Sequence, residues 1–303
     1  MNSSGDRQPT WNVLYRGPLS SCNYECAYCP FAKTSNTREE LDADAHALAR
    51  FVGWVALQHE RRVGVLFTPW GEALIQRPYQ EAIIELSHLS HVHRVAIQTN
   101  LSCRVGWLAH AELGTAALWT TFHPTQVPLH KFVDRCRELD DLGVRYSVGI
   151  VGLREHLDEM ETLRSLLSSE VYLWVNAFKR RPDYYETEDL DRIRAIDPYF
   201  ELNRHYHPSL GRACNAGHLS FTVDGDGQAR RCHFVDEPLG SIHDPGFAAR
   251  LEPRPCPRAT CGCHVGYVHV PDLGLQQLFG DGLLERIPER WPVIEEHPLI
   301  PGR

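Results

Sequence analysis

No uncharged apolar run in this sequence approaches the ~18 residues that a membrane span needs. The first ten residues, MNSSGDRQPT, carry no apolar stretch of the kind that directs secretion. Both absences lead us to expect a cytoplasmic protein with no membrane partner. Lys and Arg form no tract and the net charge is -8, so binding of a nucleic acid by charge neutralisation is not indicated. There is no internal repeat and no low-complexity linker, so any domain boundary is expected to be a compact interface and not a tether.

What is present is a chain of 303 residues, 43% hydrophobic, with length for one large α/β domain and a smaller appended one. It has ten cysteines, and eight of them fall in two groups. In a reducing compartment such groups point to metal ligands over disulfides. The first group, Cys22, Cys26 and Cys29, lies in CNYECAYC at C-x3-C-x2-C spacing just after the apolar run Trp11 to Tyr15. Thiolates are soft ligands that suit zinc, copper(I) or iron and sulfur. Three of them on one short loop leave a four-iron cluster with one iron that has no protein ligand, a position open to a chelating small molecule.

Hydrophobic periodicity divides the chain into alternating strands and helices. Strands are predicted at Trp11 to Tyr15, Val63 to Phe67, Val92 to Gln98, Ala117 to Phe122, Val144 to Val151 and Val171 to Asn176. Between them, Leu48, Phe51, Val52 and Val55 form one helical stripe, and Tyr79, Ile83 and Leu86 form another that starts near Pro78. A helix is expected around Trp107 to Leu113. Others span Leu129 to Leu142, closed by Gly143, the stripe Leu157, Met160, Leu163 and Leu167, and Glu188 to Ile196. Six such units argue a parallel sheet with ligands at the C-terminal ends of the strands.

The C-x3-C-x2-C loop, with an aromatic residue, Tyr28, before its last cysteine, resembles the signature of the radical S-adenosylmethionine (SAM) superfamily. The resemblance implies a partial (β/α)6 TIM-like barrel over residues 1-200. It also implies a [4Fe-4S] cluster on Cys22, Cys26 and Cys29, whose fourth iron is chelated by the amino and carboxylate groups of SAM. After the second strand, TPWGE ends in Gly71 and Glu72 and resembles the family's G-G-E edge, which meets the SAM amino group, with Trp70 in place of the first Gly. In QTNLSC, Asn100 and Ser102 stand where the family places partners for the SAM ribose. IVGLRE resembles part of the family's G-x-I-x-G-x-x-E, with Val148 in place of the leading Gly. This implies that Ile150 packs on the adenine and that Gly152 allows close approach. Glu155 serves equally as a ligand contact or as an acidic residue at a helix start.

Other strand-end residues are candidate substrate contacts: Thr121, His123 and Gln126 after the fourth strand, and Asn176, Lys179 and Arg180 after the sixth. His123, with an ordinary pKa near ~6.5, is a candidate proton carrier or simply a loop residue beside Pro124. Cys103 is a candidate hydrogen-atom donor or a small buried hydrophobe, as Cys136 is on its helix.

The second cysteine group comprises Cys214, Cys232, Cys256, Cys261 and Cys263, with DGDG at Asp224 to Gly227 read as a hairpin turn between SFTV and QARRC. The C-x12-G-x4-C hairpin and the cysteines that follow resemble the SPASM and twitch extensions of radical SAM enzymes. There are too few cysteines for the full SPASM pattern, so the implied arrangement is a small cysteine-rich auxiliary domain over 201-303 with one auxiliary [4Fe-4S] cluster on four of the five. A structural zinc site stays open on ligand chemistry, with His233 and His264 as adjacent alternative ligands. The tail, Leu273 to Ile300, is expected to pack back as a lid or brace. The resemblance implies an enzyme that splits SAM and abstracts hydrogen from a peptide or protein side chain, fed by a small electron donor such as flavodoxin or ferredoxin. A small-molecule dehydrogenase or rearrangement enzyme is the second reading, and a non-catalytic iron-sulfur or zinc scaffold the third.

Overall fold

The computed structural model describes residues 10-31 and 34-300. Strands β1 (Thr10–Arg16), β2 (Arg62–Phe67), β3 (Val92–Thr99), β4 (Ala116–Phe122), β5 (Arg145–Gly152) and β6 (Leu173–Ala177) pair in parallel and in sequence order. Successive strand residues point to opposite faces. Val13, Val65, Val95, Leu118, Val148 and Val175 therefore enter one apolar layer, while Leu14, Leu66, Ala96, Ala117, Trp119 and Trp174 enter another. Because both faces are covered, the strands are near-continuous apolar runs such as VGVLF.

Helices α1 (Arg38–Ala56), α2 (Arg77–Ser87), α3 (Leu129–Leu142), α4 (Leu157–Leu166) and α5 (Thr187–Ile196) cover the first face. The predicted stripe Leu48, Phe51, Val52 and Val55 is buried. Thr37 caps α1 through a reciprocal pair of bonds with Glu40. Gly143, at φ 71°, ends α3 in the left-handed conformation that suits glycine. One expected helix is absent as such. The segment around Trp107 forms only a 3-10 turn, Gly106–His110, because it is too short between Gly106 and Gly114 to sustain the cooperative α-helical ladder.

After α6 (Phe200–Arg204), seven strands follow in order: β7 (His207–Pro208), β8 (Ala213–Cys214), β9 (Ser220–Asp224), β10 (Gln228–Cys232), β11 (Val235–Ser241), β12 (Arg254–Pro255) and β13 (Thr260–Cys261). β9 lies parallel to β1, and β10 and β11 add antiparallel strands, which makes one nine-stranded sheet. The β9–β10 turn is the one read from DGDG: Gly227 has φ 75°, and Asp224 Oδ1 accepts from the N–H groups of Asp226 and Gln228. Two short antiparallel pairs, β8 with β12 and β7 with β13, bring Cys214 and Cys261 into the same region.

The segment α7 (His264–Tyr267) and the tail, with α8 (Leu275–Phe279), lie against the second face of the sheet. Val265, Val268, Leu275, Phe279, Leu283 and Leu284 meet Leu14, Leu66 and Trp119 there, so the tail acts as a brace and helps form this second apolar layer. It is pinned by Glu285, which is 0% exposed. Glu285 Oε1 lies 2.6 Å from Arg145 Nε on β5 and 3.2 Å from Arg94 Nε on β3, and the Glu285 carbonyl accepts from Ser147 Oγ. Among the described residues no helix is long and apolar enough to cross a membrane. Glu285→Ala should lower stability by about 3–5 kcal/mol, the usual cost of leaving one buried charge of a pair alone, here the Arg94 guanidinium. Urea denaturation reads this directly, and a loss under about 1 kcal/mol would show that the tail is not held by this pair.

Candidate functional site

The cysteine loop, residues 17-31, contains no helix or named strand and takes its shape from its neighbours. Asn36 Oδ1 accepts from the N–H groups of Ser20 and Ser21. Past β2, the Glu72 N–H donates to Ser21 O at 3.1 Å. A Cβ on Gly71 would sit 1.7 Å from that same oxygen, so only glycine lets the two segments cross. Past β3, Asn100 Nδ2 donates to Asn23 Oδ1 and Asn23 Nδ2 donates to Ser102 Oγ, both at 3.0 Å. Past β4, Gln126 Oε1 accepts from Glu25 N–H, and His123 Nδ1 lies 2.8 Å from Tyr28 Oη and 3.4 Å from Cys26 Sγ. Past β6, Arg180 donates to Tyr28 O.

Glu72 is itself a fastener. Its carboxylate accepts from Asn100 N–H at 2.5 Å, Thr99 Oγ at 2.8 Å and Leu74 N–H at 3.0 Å, and burial raises its pKa to about 7. Burial lowers His123 to about 4, so it is neutral near pH 7. Trp70, the residue in place of glycine, is gripped by the Arg16 guanidinium 4.0 Å from its ring centroid and by the Phe31 ring at 4.8 Å.

These elements enclose a cavity of about 550 Å³. Cys22, Cys26 and Cys29 line it together with Trp70, Gly71, Glu72, Asn100, Thr121, His123 and Asn176, and the C-terminal half adds His233, Cys263, His264 and Arg286. Burial raises the Cys22 and Cys26 thiols, so uptake of a metal there releases protons. Among the described residues no three His, Cys, Asp or Glu side chains converge on the site of a single ion. The donor set is nonetheless chemically apt for an iron-sulfur group: three soft ligands line one cavity.

Several residues singled out in the sequence lie elsewhere. Ile150 is 0% exposed and belongs to the layer between sheet and helices, because the strand's alternation turns it away from the second face. A Cβ on Gly152 would meet Tyr185 Oη at 2.7 Å, so this glycine makes room for a tyrosine. Glu155 accepts from Tyr184 Oη at 3.2 Å. Tyr28 and Ser102 hold the loop from outside the cavity lining, as do Gln126 and Arg180. Cys103 is 8% exposed, its thiol is raised by burial to about 12, and it does not line the cavity. Lys179 Nζ donates to Asn203 O and Gly262 O, tying the Cys261–Cys263 segment to β6.

All five C-terminal cysteines line a second cavity of about 280 Å³. Cys214, Cys232, Cys256 and Cys261 each lie within electrostatic reach of at least two of the others. Cys263 is exposed, opens on both cavities, and feels Lys179, Arg286 and Arg16. His233 and His264 do not line the second cavity: His233 Nε2 meets Thr68 Oγ at 3.0 Å, and His264 packs edge-on to Trp119, Tyr267 and Phe279. Sequence reasoning passed over Asn23, the Arg16–Trp70 pair and Arg286. Only Asn23, inside the cysteine motif, carried a local signal.

No family model matches the chain, and no curated protein does. Among solved structures, Streptococcus suis SuiB aligns over 80% of this chain and 66% of its own, at 11% identity and a TM-score of 0.51. Native anSMEcpe with bound AdoMet (SAM) aligns over 80% of this chain and 83% of its own, at 14% identity and a TM-score of 0.52. The same protein with bound AdoMet and Kp18Cys peptide covers 78% of each chain at a TM-score of 0.52. At these identities the likeness is one of fold.

Gly71→Ala should push the Ser21–Cys22 segment off its seat and lower stability by about 1–3 kcal/mol, the range for overpacking. Chemical denaturation and iron content after reconstitution should fall together. Unchanged values in both would show that the crossing at Gly71 tolerates a side chain.

Proposed function

We propose that this chain is a radical SAM enzyme with an auxiliary iron-sulfur cluster. The observation that carries the reading is the sharing of one cavity by Cys22, Cys26 and Cys29 with the C-terminal ends of β2, β3 and β4. The sequential order of the six parallel strands and the closure of the second face fit a partial (β/α)6 barrel, with the cysteine-rich segment after residue 200 as its appended part. A [4Fe-4S] cluster held there would supply, once reduced, the electron for reductive cleavage of SAM, the chemistry that starts hydrogen abstraction from a substrate.

The chain's own residues do the rest. Cys22, Cys26 and Cys29 would hold the cluster, and the backbone edge at Gly71 and Glu72 would face the SAM amino group. Asn100, which lines the cavity, would meet the ribose. Ser102, Tyr28 and Gln126 fix the loop so that its open side faces the cavity, while Trp70 and Phe31 shield the rim from water. Thr121, Asn176 and His123 line the wall where substrate would lie, with His123 also an anchor for the loop.

The peptide beside AdoMet in anSMEcpe supports a peptide or protein side chain as substrate, with a small molecule as second reading. We assign the auxiliary [4Fe-4S] cluster to Cys214, Cys232, Cys256 and Cys261, and leave Cys263 unligated. No disulfide joins the cysteines among the described residues, which fits a reducing compartment, and the electron donor would be of the flavodoxin or ferredoxin kind.

Anaerobic reconstitution of the full chain should give about eight irons, in two four-iron clusters, and release 5'-deoxyadenosine from SAM under dithionite. Cys26→Ala should abolish that release. Zinc in the purified protein with no SAM cleavage would leave only a thiolate-bound scaffold. Cys263→Ser should keep about eight irons, whereas Cys232→Ser or Cys256→Ser should drop to about half; equal losses in all three would overturn the ligand assignment.

A further inference from the structure

Among the described residues, Arg286 is a buried cation with no carboxylate in ion-pair contact. Its residue is 4% exposed, it lines the main cavity, and its Nε is orphaned. Among the described residues it makes no ion pair and no hydrogen bond. Its guanidinium lies instead 4.2 Å from the Trp174 ring centroid and 5.8 Å from that of Trp119. Its backbone is held at φ 57°, a left-handed conformation that a side-chain-bearing residue keeps only when its surroundings force it.

Nearby carboxylates are already engaged. Asp197 feels Arg286 through space, but its oxygens accept from Tyr172 Oη, Val175 N–H and Tyr199 N–H. Glu72, the carboxylate on the cavity wall, is taken by its three protein donors. An unpaired buried charge is costly, and a guanidinium fork matches a carboxylate with two parallel hydrogen bonds.

We propose that Arg286 receives a carboxylate of the substrate at the floor of the main cavity. A single negative charge balances the single cation, and a planar group suits a guanidinium that lies over one indole and beside another. A hydrated phosphate dianion would face the apolar Trp119, Trp174 and Val265 with excess charge. The inference rests on the radical SAM reading only for calling the ligand a substrate. SAM also has a carboxylate, but Arg286 belongs to the tail that covers the second face, and the cysteine loop hangs from the strand ends.

The test uses the full chain as purified, with N-acetylglycine as probe and N-acetylglycinamide as control at matched ionic strength, read by melting temperature and tryptophan emission. N-acetylglycine should give a saturable rise in melting temperature and an emission change that the amide does not. Arg286→Met should melt no lower than wild type and lose the response, and Arg286→Lys should respond at least ten-fold more weakly. An unchanged response in either variant, a stronger response to inorganic phosphate, or none to N-acetylglycine would overturn the proposal. On reconstituted protein, SAM affinity should change less than three-fold in Arg286→Lys, with iron content unchanged. A ten-fold loss of SAM affinity would assign the carboxylate to SAM, and loss of iron would assign Arg286 to a cluster; both overturn the substrate role. Wild type that responds to N-acetylglycine but never binds SAM would sink the radical SAM reading and leave the anion site standing.

Discussion

The loop that carries Cys22, Cys26 and Cys29 has no hydrogen-bond ladder of its own, so its shape depends on polar side chains reaching it from the ends of the strands. Ser21 O meets Glu72 N–H, Asn23 pairs with Asn100 and Ser102, Glu25 N–H meets Gln126, and Tyr28 is held by His123 and Arg180. Each bond contributes about 0.5–1.5 kcal/mol on its own. Together they bring the three thiols to the lining of one cavity. A parallel sheet is suited to this work, since its strand ends all face the same way and converge on one side.

The same sheet needs a second cover, and the tail supplies it. Helices take one face, while Val265, Leu275, Leu283 and Leu284 take the other. That arrangement brings Arg286 and Cys263, both remote in sequence from the cysteine loop, to the cavity it borders. The cavity therefore joins both halves of the chain. Lys179 reinforces the join by donating from the end of β6 to Gly262 O.

Much of this was legible in the sequence. The helical stripe Leu48, Phe51, Val52 and Val55, the Gly143 stop and the DGDG turn all follow from local rules, and each is found where those rules put it. Facing was harder to read. On β5, Tyr146, Val148 and Ile150 alternate with Arg145, Ser147 and Gly149; alternation says which residues share a face but not which face meets the helices, and Ile150 points to the helices. Motif residues also carried two meanings: Gly71, Asn100, Ser102 and Gln126 stand at the expected strand ends, yet their visible contacts hold the cysteine loop. Arg286 was invisible because its meaning comes wholly from Trp119 and Trp174, more than one hundred positions away. The short segment at Trp107 shows the limit of apolar spacing where length forbids a full helix.

The central claim is that the three thiols leave an open metal position facing the cavity, where SAM would bind. The most direct measurement is the electron paramagnetic resonance spectrum of the reconstituted, dithionite-reduced protein before and after addition of SAM. The account predicts that SAM changes the signal of one four-iron cluster, that the change vanishes in Cys26→Ala, and that the second cluster's signal is unaffected. A spectrum indifferent to SAM in the wild-type protein, with both clusters present, would contradict it.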